Sequence, residues 1–171
     1  RSIIQQIGLD NAAFNAEFFY DQTSDNVWFL EVNPRISQSH AEIFERVQGV
    51  SHHSVMVDLA LGRKPKPMEK KGKFNIAGHF MFRTFESGRI TRIPSNSAIQ
   101  KLAQRQPGTV VKFQVQTGQH LKDLQGQDMY SYEIANVFIG GRDQMEMLDK
   151  YDESLAVLQF DIEKDEDIEI V

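Results

Sequence analysis

The residues whose types and spacing could do chemistry lie close together in Glu31-Val32-Asn33-Pro34-Arg35-Ile36-Ser37-Gln38-Ser39-His40. A carboxylate, an amide, a guanidinium and two hydroxyls share this stretch, which has no helical or strand period of its own and would make a poor core. It follows the apolar run Val27-Trp28-Phe29-Leu30, and before that Asn11 to Asp21 alternates and is rich in aromatics. Gln22-Thr23-Ser24-Asp25-Asn26 between them is turn chemistry, so a β-hairpin is expected. A turn symmetric about Ser24 sets Asp21 opposite Val27, Phe19 opposite Phe29, Glu17 opposite Glu31 and Asn15 opposite Asn33 on one side. Tyr20/Trp28, Phe18/Leu30 and Ala16/Val32 then pair on the other, which is expected to face inward. A slip of one residue would set Glu17 against an apolar partner.

Two glutamates facing each other across a ladder repel unless one is protonated or a cation sits between them. With Asn33 they offer only hard oxygen ligands, a set suited to Mg²⁺ or Mn²⁺ shared with water and phosphate oxygens. Arg35, with its planar fork, suits a phosphoryl or carboxylate oxygen. Together these residue types point to a metal-nucleotide site for phosphoryl transfer. The competing reading is a hydrated hairpin side, which the Phe19/Phe29 pair expected on that same side argues against.

A Glu on one strand followed by a hairpin return ending Glu-Val-Asn-Pro-Arg resembles the C-terminal half of the ATP-grasp fold, in particular biotin carboxylase and carbamoyl-phosphate synthetase. The resemblance implies that Glu17, Glu31 and Asn33 bind Mg²⁺ (or Mn²⁺) against ATP, that Glu17 and Glu31 thereby hold the nucleotide, and that Phe19 lies near the adenine. It implies that Arg35 contacts phosphate or an acyl-phosphate intermediate, formed from a carboxylate substrate and attacked by an amine or similar nucleophile. Gly-His-x-x-x-Arg at 78–83, then Gly-Arg-Ile-Thr-Arg-Ile, a strand, and Gly-Gly-Arg-Asp with a helix are similar to the C-terminal domain of biotin carboxylase, which makes Arg83 a second catalytic arginine. Ser39 stands where biotin carboxylase has the glutamate base for bicarbonate, so the loop is closer to that of carbamoyl-phosphate synthetase and the activity closer to a carboxylate-amine ligase. The implied fold is α+β: the C-terminal half of an ATP-grasp domain over 1–62, an antiparallel sheet with packed helices, then a biotin-carboxylase-C-terminal-like α+β domain over 74–162. The N-terminal domain, glycine-rich lid and phosphate-binding lysines of the family lie upstream in the same polypeptide under this reading. This piece alone is expected to bind nucleotide weakly and turn over little. A homodimer is compatible with the resemblance. A binding or assembly module that keeps the fold without activity is the alternative, and a stand-alone metal-dependent phosphatase would need more acids and histidines on the face.

The elements that must support the hairpin read as follows. Arg1 to Gly8 resembles the end of a helix stopped by a left-handed glycine, and with no initiator Met the chain is expected to be a piece of a longer protein. Ala41 to Val47 suggests one or two helical turns with Ile43, Phe44 and Val47 inward, broken by Gly49. Ser51 caps a second helix with Val55, Met56, Leu59 and Ala60 on its buried face, ended by Gly62. His40 falls in the motif loop, where it could orient a substrate or act as a base, or simply bond the loop. His52 and His53 are adjacent, so on a helix they diverge and do not chelate one ion. Arg63 to Lys73, with five Lys, one Arg, two Pro and one Gly, is expected to be an extended, solvated linker. Beyond it, Phe74 to Phe85 alternates as a strand that turns at Glu86-Ser87-Gly88 into Arg89 to Ile93. Ser97 to Gln104 forms a helix, Thr109 to Val115 and Met129 to Ile139 strands, Asp143 to Leu158 a helix, and Phe160 with Ile162 an edge strand. Arg83 would share a face with Met81 and His79, and could be only an amphipathic side chain at a sheet edge. Residues 163–171 form an acidic tail, and Asp161 to Val171 holds six acids and one Lys.

Composition bounds the rest. The chain has 171 residues, 40% apolar and 25% charged, with a net charge of -5 and no lysine-arginine stripe, which argues against nucleic acid. Without cysteine it has no disulfide, thiolate metal site or thiol nucleophile. No apolar run approaches the roughly twenty residues of a membrane span and no signal peptide opens the sequence, so a soluble, cytoplasmic protein is expected.

Overall fold

The computed structural model describes residues 2–9, 11–128 and 130–165. The chain divides into two compact units, residues 1–73 and 74–171. The first contains α1 (Ser2–Gln6), strands β1 (Asn15–Asp21) and β2 (Asn26–Asn33), and helices α2 (Gln38–Gln48) and α3 (His52–Ala60). Gly8 takes φ +69° just past α1, the left-handed stop its position suggests.

β1 and β2 pair antiparallel with Asn15 opposite Asn33, Ala16 opposite Val32 and Glu17 opposite Glu31. Beyond Glu17 the register shifts, so the symmetric pairing does not continue. Phe18 faces Phe29 instead of Leu30, Phe19 faces Trp28 instead of Phe29, Tyr20 faces Val27 and Asp21 faces Asn26. The turn explains the shift: Asp21 accepts from Thr23 N–H (2.9 Å) and Ser24 Oγ (2.6 Å), closing a four-residue loop with Asp25 at φ +55°. That closure is one residue out of step with the acid pair, and a β-bulge at Leu30 absorbs the difference. The hairpin also does not turn an apolar side into a core. Among the described residues no third strand joins it, and Phe19, Trp28 and Leu30 are each more than 60% exposed.

Helix α2 starts at Gln38, three residues earlier than its apolar pattern suggests, and takes His40 into its first turn. Ala41 is its one fully buried residue, while Phe44 remains partly exposed. Gly49 ends it at φ +75° with its N–H bonded to Glu45 O. Ser51 caps α3 through its hydroxyl and His53 N–H, as expected. Of the face assigned to α3, Val55 and Leu59 are partly covered while Met56 and Ala60 are exposed. The lysine-rich stretch is not a free connector at its end. Gly72 N–H bonds Val47 O (3.0 Å), Lys71 N–H bonds Gln48 O (3.4 Å), and Lys70 N–H bonds Gln48 Oε1 (3.1 Å). The last carbonyls of a helix lack intrahelical partners, so a passing extended backbone satisfies them. Gly72 is needed there, because a Cβ would collide with the Arg46 carbonyl.

The second unit holds the core. Strands β3 (Ile76–Thr84), β6 (Tyr132–Gly141) and β5 (Val110–Phe113) form an antiparallel sheet in the order β3-β6-β5. β4 (Gly88–Arg92) pairs with β7 (Asp161–Lys164), so the turn at 86–88 does not close a β3–β4 hairpin. Helices α4 (Asn96–Arg105) and α5 (Gln144–Val157) complete the unit, with a 3₁₀ turn at Leu121–Asp123. β6 begins at Tyr132 and not at Met129, which lies outside the described residues; it runs buried from Ile134 to Gly141, as a central strand must. One core cluster joins Ile90, Val115, Leu121 and Ile134, and another Val137, Ile139 and Leu158. Tyr151 of α5 stacks on Phe80 at 4.3 Å. The strand expected at Phe160 and Ile162 forms as β7; of the acidic tail, residues 166–171 lie outside the described residues. Among the described residues no helix is long and apolar enough to cross a membrane.

Candidate active site on the hairpin

The antiparallel ladder, not proximity in sequence, brings Glu17 and Glu31 together. They are direct cross-strand partners, and Asn33 follows two residues later on the same side. Asn33 Nδ2 donates to Glu31 Oε1 at 2.8 Å and reaches Glu17 Oε1 at 3.5 Å. Asn15, opposite Asn33, donates to Glu17 Oε1 at 3.0 Å. Two amides therefore dress the carboxylates, yet among the described residues neither acid has a cationic partner. Their mutual repulsion is left to solvent or to a cation.

Among the described residues no cluster of three or more His, Cys, Asp or Glu side chains could hold a metal. The site offers two carboxylates and one amide, and an amide can turn its oxygen toward an ion. Such a partial, hard-oxygen shell fits Mg²⁺, which keeps waters and phosphate oxygens in its remaining positions.

Directly after Asn33 the backbone folds sharply. Arg35 N–H bonds Asn33 O at 2.7 Å across Pro34, which has a fixed φ and no N–H to lose. The exposed Arg35 guanidinium reaches Ile36 O at 3.3 Å. Ser37 then precedes α2, and its hydroxyl bonds His40 Nδ1 (2.7 Å) and Ser39 Oγ (3.1 Å). His40 is therefore a first-turn helix residue and not part of a free loop.

Phe19 is exposed and paired with Trp28. Arg83 belongs to the second unit, where its fork is engaged: Nε donates to Ser131 Oγ at 2.8 Å, NH1 to Glu133 at 3.3 Å, and NH2 to Asp128. The Asp128 carboxyl is held below the usual carboxylate range, mainly by the N–H groups of Tyr130 and Ser131, with a smaller contribution from Arg83. From Glu133 a chain of bonds continues through Asn136, whose Nδ2 donates to Glu133 Oε1 at 2.7 Å, to His79. Sequence reasoning missed these partners; the Asp128-x-x-Ser131 turn pattern was the available signal. It also gave no role to Asn15.

Residues 1–67 match the family model described as carbamoyl-phosphate synthase L chain, ATP binding domain. No curated protein sequence matches the chain. The fold is shared with the biotin carboxylase domain of Hydrogenobacter thermophilus 2-oxoglutarate carboxylase, solved with MgADP and bicarbonate, at TM-score 0.64 and 19% identity over 88% of this chain and 32% of that one. Biotin carboxylase from Campylobacter jejuni, solved as an ATP complex, gives 0.66 and 17% over 90% and 32%. Rhizobium etli pyruvate carboxylase gives 0.62 and 20% over 87% and 15%. The chain thus spans about a third of those two biotin carboxylase chains and less of the pyruvate carboxylase. Its fold is one it shares with biotin carboxylase chains, and its first 67 residues are similar to the carbamoyl-phosphate synthase L chain ATP-binding domain.

Proposed function

We propose that this chain forms part of an ATP-dependent ligase that activates a carboxylate as an acyl phosphate for attack by an amine or similar nucleophile. The observation that carries this reading is the Glu17–Glu31 cross-strand pair with Asn33 beside it and no cationic partner among the described residues. In this reading Glu17, Glu31 and Asn33 hold Mg²⁺ with ATP. When bound, the cation would screen the triphosphate charge and polarise its transferring oxygens. Arg35 contacts the transferred phosphoryl group, where a planar fork gives both charge and direction. Phe19, two residues from Glu17 on the strand, is assigned to the adenine end. Arg83 is oriented by Ser131, Asp128 and Glu133, which in this reading fix the direction of its charge. The substrate carboxylate attacks the γ-phosphorus and ADP leaves. The amine then attacks the acyl carbon, the C–O bond to phosphate breaks, and the proton lost by the amine leaves with the phosphate.

The ligase nature draws support from the family match over 1–67 and from related folds solved with MgADP or as an ATP complex. Those proteins are longer, and we assign the lid and remaining phosphate contacts to the rest of an ATP-grasp domain. The assembly-module alternative is favoured by one observation, the aromatic hairpin open to solvent. Water-proton relaxation with Mn²⁺ and ADP separates the two. The chain should enhance relaxation, and Glu31→Gln should weaken Mn²⁺ binding at least tenfold with its circular dichroism unchanged. Equal binding by both proteins would reject the metal role.

A further inference from the structure

A cavity of about 330 Å³ opens within the first unit, between the chain entering β1 and helices α2 and α3. Its wall is mostly apolar, with Phe44, Leu59 and Met68 among the lining residues, and its few polar groups are Asn15, Ser37, His40 and His52. An open, mostly apolar hollow with a small number of placed polar groups is a usual form of a small-molecule site.

The polar groups are arranged in a particular way. Ser37 occupies the N-cap position of α2 but makes no capping bond with its side chain; its hydroxyl instead engages His40 Nδ1 and Ser39 Oγ. His52 lies against Phe44 with ring centroids 4.1 Å apart. Its pKa is lowered by burial first, then by His53 and His40, so it stays neutral near pH 7 and keeps one ring N–H to donate. Asn15 both lines the cavity and donates to Glu17 Oε1, so the cavity adjoins the acid pair. Ile36 and Ser37, also on its wall, directly follow Arg35.

We propose that this cavity receives the acid that the ligase activates, and that the acid is a monocarboxylate with an apolar body. The proposal rests on the ligase reading above. The carboxylate lies at the polar end formed by Asn15, Ser37 and His40, and the hydrocarbon body lies against Phe44, Leu59 and Met68. Bicarbonate has no body to cover that wall. A dicarboxylate would bury a second charge against it without a partner.

Calorimetric titration of the chain with acetate, butyrate, hexanoate and glutarate, with and without Mg²⁺ and ADP, tests this. Burying each methylene is worth roughly a fourfold gain in affinity, so Kd should fall about 16-fold from acetate to butyrate and again toward hexanoate. Glutarate should bind at least tenfold more weakly than hexanoate. Leu59→Trp, which fills the cavity, should remove hexanoate binding. Met68→Ala, which enlarges it, should retain that binding and so controls for damage to the fold. Affinity independent of chain length, or the same dependence in Leu59→Trp, would overturn the proposal, the latter result placing the acids on the exposed hairpin aromatics. Loss of the chain-length dependence with Mn²⁺ binding intact rejects the cavity and spares the ligase reading. The reverse result rejects the ligase reading and leaves a carboxylate site.

Discussion

Glu17 stands directly opposite Glu31 in the β1–β2 ladder, and among the described residues no lysine or arginine pairs with either. Like charges placed this way destabilise a hairpin. Glu31→Gln should therefore stabilise the metal-free chain slightly, by about 0.5 kcal/mol, while weakening Mn²⁺ binding. Urea denaturation with EDTA and with Mn²⁺ measures both. A variant less stable in EDTA would mean the acids are already compensated.

Arg83 donates to Ser131, Glu133 and Asp128 within its own unit. Arg83→Ala should cost about 2 kcal/mol, the scale of hydrogen bonds to charged groups. Arg83→Lys should recover only part of this, since an ammonium cannot span the three partners as a fork does. If chemical denaturation found both variants as stable as the parent, these bonds would contribute nothing to the stability of the unit.

Ile90 is fully buried at the centre of the first core cluster. Ile90→Ala should destabilise the second unit by about 3 kcal/mol, read as a lower urea midpoint. A loss below about 1 kcal/mol would show that the cluster collapses around the gap.

Glu146 is held down to about 2 by the Arg142 N–H first, then by Lys150 and the Arg142 side chain. A carboxyl whose folded pKa is depressed adds stability that is fully present above its unfolded value, 4.5, and is lost as pH falls toward about 2. Thermal midpoints between pH 6 and pH 2.5 should fall more steeply in the parent than in Glu146→Gln. Parallel curves would remove Glu146 from the acid response.

The sequence and the structure agree wherever one local rule decides. Gly49 and Ser51 behave as stop and cap because a left-handed glycine and a serine hydroxyl act within one turn. The Glu17–Glu31 pairing was legible from the sorting of polar and apolar faces, although the turn symmetric about Ser24 that implied it does not form. Long-range and compensating contacts were not legible. The Leu30 bulge depends on how Asp21 closes its turn, and the partnership of β4 with β7 joins residues about seventy positions apart. The partners of Arg83 come from a segment some fifty residues away, which no periodicity announces.

The bulge at Leu30 divides the hairpin into two halves with separate controls. The base carries the acids and amides in one register, and the tip, with the aromatics, is aligned by the Asp21 turn in another. A single residue gained or lost in the tip loop can thus be taken up at the bulge without disturbing the opposed carboxylates. Deleting Leu30 itself would fuse the halves into one continuous ladder that keeps Glu17 opposite Glu31 and Phe18 opposite Phe29, and would remove this tolerance.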